Sequence, residues 1–106
     1  MKTLVWLSYD LGLKADYEIL YSWLDNHGAK ECGESVAVFT YESKEDFVKE
    51  LKDELWKIVG PLGKRDRIYI IWFEGRKTKG RFLFGSRKAA PWAGYGSPEP
   101  AVDEEA

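Results

Sequence analysis

Two short runs constrain this chain more than anything else in it: TLVWLSY at residues 3–9 and RIYIIWF at residues 67–73. Successive residues of a strand point to opposite faces, so a half-solvated strand alternates apolar with polar. Neither run alternates. Leu4 and Trp6 share one parity of the first and Val5 and Leu7 the other, while Ile68, Ile70 and Trp72 oppose Tyr69, Ile71 and Phe73 in the second. Both strands therefore need cover on both faces. At 106 residues the chain has room for one domain, so that cover has to come from few elements or from another molecule.

The remaining pattern supplies cover for one face only. After the turn Asp10-Leu11-Gly12, a helix runs to His27, with Asp16 as its N-cap and Gly28 just past its end. Tyr17, Leu20 and Leu24, joined by Trp23, form its apolar side. Residues 29–32 and 35–41 (SVAVFTY) read as a hairpin around Gly33-Glu34. Ser43 and Asp46 resemble a capping box, and the helix they open carries Phe47, Leu51, Leu55 and Ile58 before Gly60-Pro61 ends it. Residues 75–80 read as a basic turn after the second double-sided strand, and residues 81–84 (RFLF) as one more strand.

Strand, helix, two strands, helix, strand is the order of an α+β, ferredoxin-like βαββαβ sandwich: a four-stranded antiparallel sheet, two helices on one face, and here an extra C-terminal strand. The domain spans residues 1–88. A Gly/Pro/aromatic extension, AAPWAGYG, follows at 89–96 and is expected to be extended; the acidic tail 97–106 is expected to be disordered. The second sheet face falls either to the extension or to another subunit, with a homodimer the first expectation.

Charge is segregated along the chain. Residues 16–59 carry 11 Asp/Glu against 5 Lys, whereas residues 64–88 carry nine basic residues against Asp66 and Glu74. The tail adds Glu99, Asp103, Glu104 and Glu105. Arg65, Arg67, Arg76, Lys77, Lys79, Arg81, Arg87 and Lys88 are thus the candidate nucleic-acid-binding set. A solvated hairpin that protects a sheet edge accounts for the same residues. Net charge is −2, which weighs against strong non-specific binding by a lone monomer. Trp92 and Tyr95 are candidates for base stacking or a protein-partner contact.

Little else looks like chemistry. Cys32 has no second cysteine to pair with, no window approaches the roughly 20 apolar residues of a spanning helix, and the first strand begins with no secretory leader. Those features set the expectation of a cytoplasmic protein without membrane attachment. His27 belongs at a helix end, in a structural or surface role and not as a general base. The segment GPLGKR at 60–65 fails as a phosphate loop, because two residues rather than four separate its glycines and Arg65 stands where Ser or Thr should hold magnesium. Asp10, closing the first strand, is the one candidate catalytic residue. Paired across a dimer axis, two copies could hold Mg2+; alone, Asp10 makes turn hydrogen bonds.

Tyr9-Asp10 at the end of an N-terminal apolar strand, Ser35-Val36 and Phe39 in an apolar hairpin, and Ile68-Tyr69-Ile70 after a short amphipathic helix resemble the small CRISPR-associated adaptation proteins. The same pattern extends to the virulence-associated protein D toxins and the SinR-like small proteins. The likeness spans roughly residues 1–85 in order and spacing, and this chain would be a divergent member. It implies a symmetric dimer that binds nucleic acid, with metal-dependent cleavage of RNA or double-stranded DNA in some members and scaffolding in others. The alternative is a non-catalytic protein-interaction or scaffold module on the same fold.

Overall fold

A computed structural model describes residues 1–12 and 17–96. The elements run β1 (Lys2–Asp10), α1 (Tyr17–Asn26), β2 (Lys30–Glu31), β3 (Val36–Glu42), α2 (Phe47–Val59), β4 (Arg67–Glu74) and β5 (Lys77–Phe84). All five strands join one antiparallel sheet in the order β2-β3-β1-β4-β5. The sheet is α+β in class and five-stranded: the expected extra strand extends a single sheet instead of flanking a four-stranded one.

The two double-sided runs are adjacent. β1 pairs with β4 from Val5↔Trp72 to Asp10↔Arg67 and with β3 along its other edge. Val5 and Leu7 of β1, Phe39 and Tyr41 of β3, and Ile68, Ile70 and Trp72 of β4 all enter one core. Leu20, Trp23 and Leu24 of α1 and Phe47, Leu51 and Leu55 of α2 enter it from above, so both helices cover the same face. Seven members, Val5, Leu7, Leu20, Leu51, Leu55, Ile68 and Ile70, are fully buried. Each contributes roughly 1.5–3 kcal/mol relative to an exposed position.

Local chemistry sets the element ends. Asp46, in place of the Ser43/Asp46 box, is the N-cap of α2, its carboxylate accepting from the Lys49 amide. Glu50 reaches back from the first turn to accept from the amides of Lys44, Glu45 and Asp46. These bonds favour its charged form and hold its carboxyl below the usual range. The basic turn also shrinks: the β4–β5 hairpin turns on Gly75-Arg76 alone, with Gly75 at φ 64°, and pairing resumes at Glu74↔Lys77. Gly80 lies inside β5 because the Tyr69 ring crosses it, and any Cβ there would overlap the phenol. The Asp16 cap and the tail at 97–106 fall outside the described residues.

Among the described residues no helix covers the sheet's second face. Leu4, Ile71 and Phe73 remain 47%, 39% and 55% exposed there, and Trp6 meets Phe73 edge-on at 5.7 Å. Among the described residues no helix is long and apolar enough to cross a membrane.

Candidate nucleic-acid interface

The open face divides along the strands. Antiparallel register places Leu4, Trp6, Ile71 and Phe73 towards one end and Ser8, Asp10, Arg67 and Tyr69 towards the other. At the second end Arg67 Nη2 donates to Asp10 Oδ2 at 2.8 Å. This hydrogen bond is the main cause of a lowered Asp10 pKa; partial burial opposes it, and the charges of Arg67 and Lys88 reinforce it.

A backbone knot fixes this pair. Asp66, next to Arg67, is buried, and its carboxylate accepts from the amides of Gly12 and Gly63 (2.7 Å for the latter). The loop after β1 and the turn before β4 are thereby tied together directly behind Asp10 and Arg67. Gly85 completes the knot. Its φ of 81° turns the chain at the end of β5, and a Cβ there would lie 2.5 Å from the Asp66 carbonyl oxygen and 2.8 Å from Arg67 Cγ. Only glycine fits that approach.

Past Gly85 the chain returns over the open face. The extension is folded into turns, not extended, with the Ala93 amide on the Ala90 carbonyl at 3.0 Å and the Tyr95 amide on the Trp92 carbonyl at 3.1 Å. Residues 87–92 wall a cavity of about 670 Å3 whose lining includes Asp10, Arg67, Tyr69, Phe82, Arg87 and Lys88. Tyr69 and Phe82 meet edge-to-face at 4.6 Å, and the Arg87 guanidinium lies 5.7 Å from the Phe82 ring centre. Arg67 Nε is sealed from solvent, with no hydrogen-bond partner among the described residues. A stranded donor of this kind costs about 1–3 kcal/mol.

The expected basic set is therefore split. Arg67, Arg87 and Lys88 meet in the groove. Lys77, Lys79 and Arg81 point to the helix side of β5, since they pair in register with Glu74, Trp72 and Ile70. Arg65 is exposed before β4, and Arg76 occupies the hairpin tip. Trp92 lines the groove yet is 74% exposed, and Tyr95 is exposed beyond it. Phe82 floors the groove, whereas Phe84 packs on the helix side, stacked on Trp56 at 6.1 Å.

The described residues of one chain do not form a magnesium site. Among the described residues Asp10 is the one carboxylate lining the groove, and a guanidinium holds it. Among the described residues no three His, Cys, Asp or Glu groups converge on a possible metal position. His27 is built into the helix side instead: its ring stacks on Trp23 at 3.8 Å, Nδ1 lies 2.8 Å from the Trp23 carbonyl oxygen, and Nε2 lies 3.5 Å from Glu54. Glu54 also accepts from Trp23 Nε1 at 2.7 Å and from the Tyr41 hydroxyl at 3.1 Å.

Sequence reasoning missed Asp66 and Gly85, which hold the groove together. Asp66 was hidden among basic neighbours; Gly85, directly after an apolar strand, carried the only local signal. Comparison of the chain with family models, curated proteins and solved structures finds no match.

Proposed function

We propose that this is a cytoplasmic nucleic-acid-binding protein of ferredoxin-like fold, a divergent relative of the CRISPR-associated adaptation proteins, acting as a homodimer. The fold reading is supported by the βαββαβ order with sheet order β2-β3-β1-β4, to which β5 adds an edge strand. The observation that carries the function is the division of the open face. One end is bare and apolar, the other gathers Arg67, Arg87 and Lys88 beside the rings of Tyr69 and Phe82.

The apolar end suits a second copy, because a patch of Leu4, Trp6, Ile71 and Phe73 is self-complementary about a two-fold axis. The basic end suits phosphates, with aromatic faces for unstacked bases. Magnesium-dependent cleavage would need Asp10 released from Arg67 and joined by a partner's copy, so binding without cleavage is the reading favoured.

The test is fluorescence anisotropy with RNA and DNA, single- and double-stranded, across a salt series. Binding should weaken with salt, and each phosphate contact removed should lower the log–log slope by roughly 0.7–0.9. Light scattering should give a dimer that Phe73→Glu turns into a monomer. Salt-independent or absent binding, together with a tight protein partner at the Trp92/Tyr95 segment, would favour the interaction-module alternative. Metal-dependent cleavage lost in Asp10→Ala would restore the nuclease reading.

A further inference from the structure

We propose that the groove walled by residues 87–92 is a binding site for one phosphorylated nucleotide, either free or at the end of a strand. The phosphate is held by Arg67 between Arg87 and Lys88, and the base lies against Trp92 above Phe82. This inference rests on the nucleic-acid reading above and narrows it to one pocket and one chemical class.

Four observations converge on it. A cavity of about 670 Å3 falls within the roughly 300–1,000 Å3 usual for small-ligand sites, and exceeds what a bare phosphate fills. Among the described residues its lining sets three cationic side chains against one carboxylate, that of Asp10, a balance that favours an anion. Rings surround the charges: Tyr69 and Phe82 in the floor, and Trp92 at the rim with most of its surface still open to a partner. Arg67 itself is under-used. Its bond to Asp10 engages Nη2 and leaves Nε without an acceptor among the described residues. Nε is sealed from the groove, so a phosphate that displaces Asp10 meets the Nη end of the guanidinium, a strong charge-assisted donor to phosphoryl oxygens.

Asp10 on this view is a counter-ion that occupies the arginine until phosphate arrives. It competes with the ligand and does not bind it. That separates the inference from a metal role: removing the charge of a magnesium ligand weakens phosphate binding, while removing the charge of a competitor strengthens it.

The experiment is calorimetric titration of the intact chain, without added metal, with AMP, adenosine, inorganic phosphate and a 5′-phosphorylated dinucleotide. AMP should bind about tenfold or more tightly than adenosine, a step of one charge-assisted contact, and more tightly than phosphate alone. Arg67→Ala should lose about tenfold in AMP affinity, with the exposed Lys88→Ala losing less and guarding against a folding defect in the first. Trp92→Ala should bring AMP down towards inorganic phosphate, and Asp10→Asn should tighten AMP severalfold. The dinucleotide binding at least as well as AMP assigns a strand end; its exclusion assigns a free nucleotide. Equal binding of AMP and adenosine, AMP affinity unaltered by both Arg67→Ala and Lys88→Ala, or weaker AMP binding in Asp10→Asn overturns the site. Salt-dependent binding of longer strands could survive that outcome, which would remove this inference and leave the function standing.

Discussion

The two faces of β1 and β4 are built from the same kinds of residue and meet opposite fates. On one, Val5, Leu7, Ile68 and Ile70 are fully buried under two helices. On the other, Leu4, Ile71 and Phe73 are exposed, and among the described residues cover comes only where the chain after Gly85 folds back. Apolar side chains alone do not decide which face becomes a core; the connections do. Both strand–helix–strand crossovers carry their helices to the same side, as right-handed connections between a common set of strands must. The second face is left without a helix among the described residues, bare at one end and walled by residues 87–92 at the other, and the proposed second copy and charged ligand would use these two ends.

The sharpest way to break this contrast is to truncate neighbours that face opposite ways. Ile70→Ala should cost about 2–5 kcal/mol in denaturant unfolding, because it opens a cavity in a packed core. Ile71→Ala, one residue on, should cost less than about 1 kcal/mol at low protein concentration, as for other surface sites. Equal costs for the two would mean that the second face is also sealed. A cost for Ile71→Ala that grows with protein concentration would identify a second copy as the seal.

Gly85→Ala comes next. A left-handed φ combined with a Cβ 2.5 Å from the Asp66 carbonyl should cost about 1–3 kcal/mol. It should also detach residues 87–92 from the sheet, lowering ligand affinity more than an equally destabilising core mutation. Gly75→Ala, positive in φ but with open space around it, isolates the backbone part and should cost less, about 1 kcal/mol. If both substitutions weaken ligand binding alike, the fold-back is not what shapes the groove.

Most of the fold was legible because periodicity reports burial, and burial dictates the helices and strands. Leu51 and Leu55 at a spacing of four, or Ile68, Ile70 and Trp72 at a spacing of two, admit few alternatives. The failed cap and the shortened turn have a different cause. Asp46 and Ser43 are both good capping residues, and three dimensions choose between them when Glu50 bonds the amides of residues 44–46. Lys77 and Lys79 look like turn residues because β5 is an edge strand whose helix-side positions overhang the core. The groove was the least legible part. Its cations were visible as a set, but only the register reveals that Arg67 joins Arg87 and Lys88 while Arg81 faces away. Its anchors, Asp66 and Gly85, act through backbone contacts that leave no periodic trace.

The smallest expected effect tests whether the charged end is a working site or a stabilising one. Arg67 lowers the Asp10 pKa below its ordinary value of 3.8. A depressed folded-state pKa contributes stability above the unfolded value, and that stability disappears as pH falls through the folded one. The Asp10 side chain is 59% exposed, so solvent screening limits the contribution to a few tenths of a kcal/mol. Asp10→Asn should therefore leave unfolding at neutral pH nearly unchanged and slightly flatten the loss of stability below pH 3.8. The same substitution should change phosphate affinity severalfold. A variant that instead loses several kcal/mol at neutral pH would show that the ion pair holds the sheet together, and the contrast between a structural face and a working face would fail at this residue.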